Sequence, residues 1–132
     1  MTGAPRLAWS QALDSLEPDR IVEQLRDDVV IRVAVHDEPM RGRDIARFLF
    51  GVLAEELESM SVTDEIVEGH RSVVMFETAV DGVTAQGLNV VETGDDGLVS
   101  DLTIFFRPLV ALERVSSVIG ARMEERFGPR PD

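Results

Sequence analysis

Apolar residues in the first part of the chain recur at helical spacing. Trp9, Ala12, Leu13 and Leu16 share one stripe and predict an amphipathic helix from about Pro5 to Leu16. Pro18 breaks that pattern and suits the first turn of a short second helix carrying Ile21, Val22 and Leu25. The run from Val29 to Val35 is β-branched and predicts a strand, and His36 to Gly42 predicts a polar loop. Ile45, Phe48, Leu49, Val52, Leu53 and Leu57 then make the clearest helical stripe, from about Gly42 to Glu58. Four strand-like stretches follow: Ser61–Glu68, Arg71–Val80, Val83–Glu92 and Leu98–Phe106. Gly69-His70, Asp81-Gly82 and Gly94–Gly97 separate them, and Asp81-Gly82 is a two-residue hairpin signal. After Pro108, the residues Leu109, Leu112, Val115, Ile119 and Met123 predict a last helix ending near Gly128-Pro129.

A sheet whose later strands are consecutive hairpins is not doubly wound, so the pattern predicts an α+β fold. We expect one domain over residues 1–132, with a core of about 5–107 and an added C-terminal helix of about 108–127.

Asp27-Asp28-Val29-Val30, leading through a loop to Arg41-Gly42-Arg43-Asp44-Ile45, resembles a segment of nuclear transport factor 2-like proteins. Asp96-Gly97-Leu98-Val99 resembles the hairpin before that family's last strand. The family includes ketosteroid isomerase, SnoaL-like polyketide cyclases, limonene epoxide hydrolase, scytalone dehydratase and non-catalytic binding proteins. The resemblance covers about Trp9 to Phe106. It implies a curved, mostly antiparallel sheet wrapped around the N-terminal helices, a cone enclosing an apolar pocket, and a homodimer formed through the outer sheet face. The helix after Pro108 lies outside the family's minimal fold.

Strand alternation assigns faces. Ser100, Leu102, Ile104 and Phe106 share one face of the last strand, and Asp101, Thr103 and Phe105 share the other. In the preceding hairpin, Val74, Phe76 and Thr78 point inward from one strand and Gly87, Asn89 and Val91 from the next. Ketosteroid isomerases carry a general-base carboxylate, an oxyanion-hole tyrosine and a protonated acid. By the resemblance, those positions fall on Val33, Trp9 and Asn89. The carboxylate slot of SnoaL-like cyclases falls on Ile104. Val33 and Ile104 cannot take a proton, the Trp9 indole can only donate a hydrogen bond, and the Asn89 amide can donate or accept one.

The expected function is therefore binding of a hydrophobic small molecule, with Trp9, Val33, Leu49, Phe76, Asn89, Ile104 and Phe106 lining the pocket. An isomerase, cyclase, lyase or epoxide hydrolase would need a different acid–base group: His36, Asp37, Glu38 or Asp101. His36, Asp37 and Glu38 cluster in one loop and equally fit a solvated turn. Asp101 is catalytic only if the strand register is slipped by one residue. A structural dimer whose bulky Trp9, Phe76 and Phe106 fill the cone is a third reading.

Composition narrows these readings. The chain has no cysteine, and all 13 basic residues are arginine. Thiolate chemistry, disulfides and Schiff-base lysines are thereby excluded. The net charge of −12 opposes nucleic-acid binding, which needs cations to displace counterions from phosphate. The two histidines lie far apart and make no metal-binding spacing, so we expect no metal and no cofactor. No apolar run reaches the roughly 18 residues of a membrane span, and Met1 to Trp9 lacks a signal-peptide core. These features predict no membrane association and a cytoplasmic location.

Overall fold

Glu65, far along the chain, sets where the first helix begins. The structure, a computed structural model, describes residues 5–128. In it α1 (Ala8–Ser15) has no side-chain cap of its own. The Glu65 carboxylate accepts the backbone N–H of Arg6 (2.8 Å) and of Leu7 (2.9 Å) instead. A carboxylate at a helix start satisfies free donors and complements the helix dipole. α1 ends at Leu16, a non-glycine residue in the left-handed region (φ 55°), and α2 (Pro18–Glu23) starts on Pro18.

The strands are β1 (Leu25–Arg32), β2 (Met40–Arg41), β3 (Leu57–Glu68), β4 (Arg71–Val80), β5 (Val83–Thr93) and β6 (Val99–Arg107). They form one six-stranded sheet in the order β2-β1-β6-β5-β4-β3. β1 runs parallel to β6 and every other pairing is antiparallel. Val80 pairs with Val83 across Asp81-Gly82. Both turn residues have positive φ, as a turn matched to strand twist requires. Between Val62 and Asp64 the register of β3 shifts, and the Val62 N–H is taken by Asp14 of α1 at 2.9 Å.

α3 (Arg43–Glu56) follows Gly42, whose φ of 93° favours glycine. Arg43 Nε donates to the Leu25 carbonyl at 2.8 Å and ties the helix start to β1. α4 (Leu109–Phe127) lies against α3 through Arg122–Glu55 at 2.8 Å and the edge-on rings of Phe48 and Phe127. The core fills the concave side of the sheet: Ile21, Leu25, Val29, Ile31, Leu49, Val74 and Leu102 are almost fully buried.

Several boundaries depart from the expected ones. β1 stops at Arg32, so Val33 to Val35, expected in the strand, belong to the loop after it. Leu25 opens β1 rather than closing α2, because it pairs with Val99 across a register shift that the polar Arg26-Asp27-Asp28 conceals. The expected loop after β1 contains β2, whose two residues pair with Val30 and Ile31. β3 begins at Leu57, directly where α3 stops, with no loop between them. The expected helix end at Gly128-Pro129 falls partly outside the described residues. Among the described residues no helix is long and apolar enough to cross a membrane.

The Glu65 clasp yields a prediction. Burial pushes its carboxyl up, but the Arg6 and Leu7 N–H donors and the Arg6 charge outweigh it, so its pKa lies below the ordinary value. The Ser10 hydroxyl sits near that carboxylate without a hydrogen bond of acceptable geometry. A lowered folded-state pKa stabilises above the unfolded pKa of about 4.5 and fades as pH falls through the folded value. Glu65→Gln is expected to cost about 0.5–2 kcal/mol at pH 7, the usual worth of a helix cap. Its melting temperature should also fall less than that of the wild type between pH 5 and about pH 3. Parallel acid melting curves would refute the clasp.

Candidate functional site

The concave face of the sheet and the helices above it enclose a cavity of about 60 Å³. The loop after β1 supplies Val33, Ala34 and Val35. α3 supplies Leu49, Phe50 and Leu53, and the inner rows of β4 to β6 supply Phe76, Asn89, Ile104 and Phe106. α4 closes the remaining side with Leu112, Val115 and Ile119. Among the described residues, Asn89 is the one lining residue with a polar side chain.

Asn89 is 2 % exposed and pairs with Ile104 on β6 and Val74 on β4, in the middle of the sheet. Trp9 Nε1 donates to Asn89 Oδ1 at 3.1 Å. An indole N–H can only donate, so the atom it meets must be the amide oxygen. That contact fixes the amide plane. The amide nitrogen has no protein acceptor among the described residues, and Asn89 borders the cavity. Trp9 stands behind Asn89 rather than in the cavity wall, with its ring edge-on to Phe50 at 6.0 Å. Its role in this geometry is to orient the amide.

The inner row Phe76–Gly87–Phe106 runs across three strands. The rings of Phe76 and Phe106 stand 6.4 Å apart, tilted by 34°. They border both the cavity and a shallow depression on the outer face. A side chain at Gly87 would strike the Phe76 ring and lie 2.6 Å from the Phe105 carbonyl oxygen. The missing side chain therefore lets the Phe76 ring lie over the strand.

The other residues singled out from sequence divide between the cavity wall and the surface. Val33, Leu49, Phe76, Ile104 and Phe106 share the cavity wall with Asn89. His36 is half-buried in the loop between β1 and β2, its Nδ1 held by the backbone N–H (3.1 Å) and carbonyl (2.9 Å) of Glu38. Asp37 and Glu38 are exposed. Asp101 lies on the outer face, where Arg32 Nη1 reaches both carboxylate oxygens at 2.6 and 2.7 Å. None of these four borders the cavity. Leu16 and Met60 carry no signal in the sequence that marks them as wall residues. The α4 stripe of Leu112, Val115 and Ile119 was visible as a face that must bury, over the cone's open end or in a dimer interface, and those residues border the cavity. Among the described residues, no three His, Asp or Glu side chains converge as a metal site would.

No family model and no curated protein sequence matches the chain. Solved structures do. An uncharacterised protein conserved in bacteria with a cystatin-like fold, from Silicibacter pomeroyi, superposes with a TM-score of 0.83 at 19 % identity, covering 91 % of this chain and 86 % of that one. The chain has the cystatin-like, nuclear transport factor 2-like fold. A steroid delta-isomerase from Pseudomonas aeruginosa shares that fold with a TM-score of 0.79 at 18 % identity, over 92 % of this chain and 90 % of the other. A hypothetical protein with a ketosteroid isomerase-like fold from Catenulispora acidiphila, in complex with trimethylamine, gives 0.64 at 13 % identity, over 83 % and 89 %. At these identities the likeness extends to the nuclear transport factor 2-like fold alone. What the cone does must be read from its own side chains.

Proposed function

We propose that this protein binds a neutral, largely apolar small molecule in the cone, through one hydrogen bond from Asn89 to an acceptor atom of the ligand. The observation that carries this is the amide of Asn89: the residue is buried, Trp9 occupies its oxygen, and it borders an otherwise apolar cavity, so its N–H donors are the groups left for a ligand. A buried donor left unpaired costs about 1–3 kcal/mol, so a partner there is favoured. A ketone, ester or ether oxygen fits. A carboxylate does not, because no cation among the described residues borders the cavity and the chain carries −12 overall. Proton-transfer chemistry is less well supported than binding, since among the described residues no titratable side chain borders the cavity.

The test is a series of neutral ketones of rising size, from cyclopentanone to 2-acetylnaphthalene, each paired with a hydrocarbon of the same shape. Binding is read as thermal stabilisation. A ligand at a hundred times its dissociation constant adds about 2.7 kcal/mol. Each ketone that binds should outbind its hydrocarbon by about tenfold, the worth of one hydrogen bond, and Asn89→Leu should erase the difference. Equal binding of each pair would reject the Asn89 contact. The volume of about 60 Å³ favours a second reading, a filled cone in which ordered water meets Asn89 and the domain serves assembly alone. No ketone in the series would then bind.

We also propose that the outer sheet face joins two copies of the chain. The rows Ile66–Val73–Val90 and Met75–Leu88–Phe105 form an apolar band there, with Ile66 and Phe105 more than half exposed. Arg71–Glu92 and Asp101–Arg32 flank it on one side, Glu77 and Arg107–Gln86 on the other. A two-fold axis through the band would set apolar side chains on their own copies. Leu88→Arg would place like charges across that axis, so sedimentation should change from dimer to monomer with the helix content unchanged. A wild type that sediments as a monomer at micromolar concentration would end this proposal.

A further inference from the structure

Beside the cavity lies a second space, a cleft of about 320 Å³ between the loop 33–39 and the C-terminal half of α4. Its walls are soft and apolar at Met40, Met123 and Phe127, and polar at His36, Ser116 and Glu124. Two residues border both spaces: Val35 from the loop and Ile119 from α4. The cavity alone is too small for a drug-sized molecule, whereas the cleft beside it already has the roughly 300 Å³ such a ligand takes.

We propose that the cleft is the entrance chamber of the cone, with Val35 and Ile119 as the partition that a ligand displaces on its way to Asn89. This rests on the binding role proposed for the cavity and names the ligand more closely. It would be elongated, with a neutral acceptor at the end that reaches Asn89 and an apolar remainder lodged against Met40, Met123 and Phe127. The side chains that must yield are aliphatic and belong to a loop and to one helix, not to the hydrogen-bonded sheet.

Gly120 supplies independent support. It lies within α4 and lines the cleft. Glycine is the least favourable non-proline residue inside a helix. Nothing lies within 4 Å of where its Cβ would be, so close packing does not require it. Its effect on the surface is to leave the cleft open.

The experiment uses full-length protein and a fluorescent aryl ketone, 6-acetyl-2-(dimethylamino)naphthalene, whose emission moves to the blue on entering an apolar site. Gly120→Leu puts a side chain into the cleft while improving helix propensity, so it should melt no lower than the wild type. The ketone should associate with it at least about tenfold more slowly in stopped flow, and Gly120→Ala should behave almost as the wild type does. Ile119→Ala, which thins the partition, should speed association. Equal association rates for wild type and Gly120→Leu, with the ketone's affinity lowered about tenfold by Asn89→Leu, would overturn the entrance while leaving the Asn89 site intact. An affinity that Asn89→Leu leaves unchanged and Gly120→Leu abolishes would make the cleft a separate site, which also overturns the proposal. A wild type that gives no blue shift would overturn both readings together.

Discussion

Phe76→Ala is expected to lower stability by about 3–5 kcal/mol, the usual cost of emptying a buried aromatic site. Phe76 is only 5 % exposed, tilts against Phe106 and lies over Gly87. Rigid strands hold its neighbours on both sides, so the space has little means of collapsing. The lost ring also borders the cavity, so its removal should extend that cavity toward the outer face. The variant should therefore take larger ketones than the wild type does, even as it unfolds at lower urea. A cost below about 1 kcal/mol would mean that the surrounding strands relax into the gap and that Phe76 does not set the size of the cone.

The second large effect is expected at Gly87. Its alanine variant forces a methyl group against both the Phe76 ring and the Phe105 carbonyl oxygen. The ring can swing away, but the carbonyl belongs to the adjacent strand β6 and cannot move without disturbing its pairing. Overpacking of this kind costs about 1–3 kcal/mol, and the backbone contact places Gly87→Ala at the upper end. Combining it with Phe76→Ala removes one collision and leaves the other. The two losses should then add to less than their sum, by an amount read from a double-mutant cycle in urea. Strict additivity would show that Gly87 and Phe76 do not share the strain assigned to them.

Much of this architecture was legible from local pattern. The alternation of β4 to β6 gave the inward faces that hold Phe76, Asn89 and Ile104, because a period of two leaves little freedom once one face is buried. The stripe of α3 and the Asp81-Gly82 turn were equally plain. What was hidden depends on pairing over distance. β2 is two residues long and has no pattern to read. Leu25 is cut off from the rest of β1 by charged residues at a register shift. Glu65 caps a helix nearly 60 positions upstream, and Trp9 orients an amide 80 positions downstream. Nothing in either neighbourhood announces its partner. The resemblance pointed to Trp9 and Asn89 as occupants of separate slots, whereas in the fold they act as one unit, donor and oriented amide.

That unit distinguishes this cone chemically. In a polar cleft the same amide would rotate freely between water molecules. Here the indole uses its oxygen, so whatever meets the other side encounters a donor whose direction is already set. A preset donor lowers the ordering cost of an encounter and discriminates against molecules that lack an acceptor.

The Trp9–Asn89 contact also makes the interior observable without a label. Trp9 is the chain's sole tryptophan and there is no tyrosine, so indole fluorescence reports on one ring in one environment. Any molecule that draws on the Asn89 amide alters the polarisation felt by that indole, and its quantum yield records the event directly.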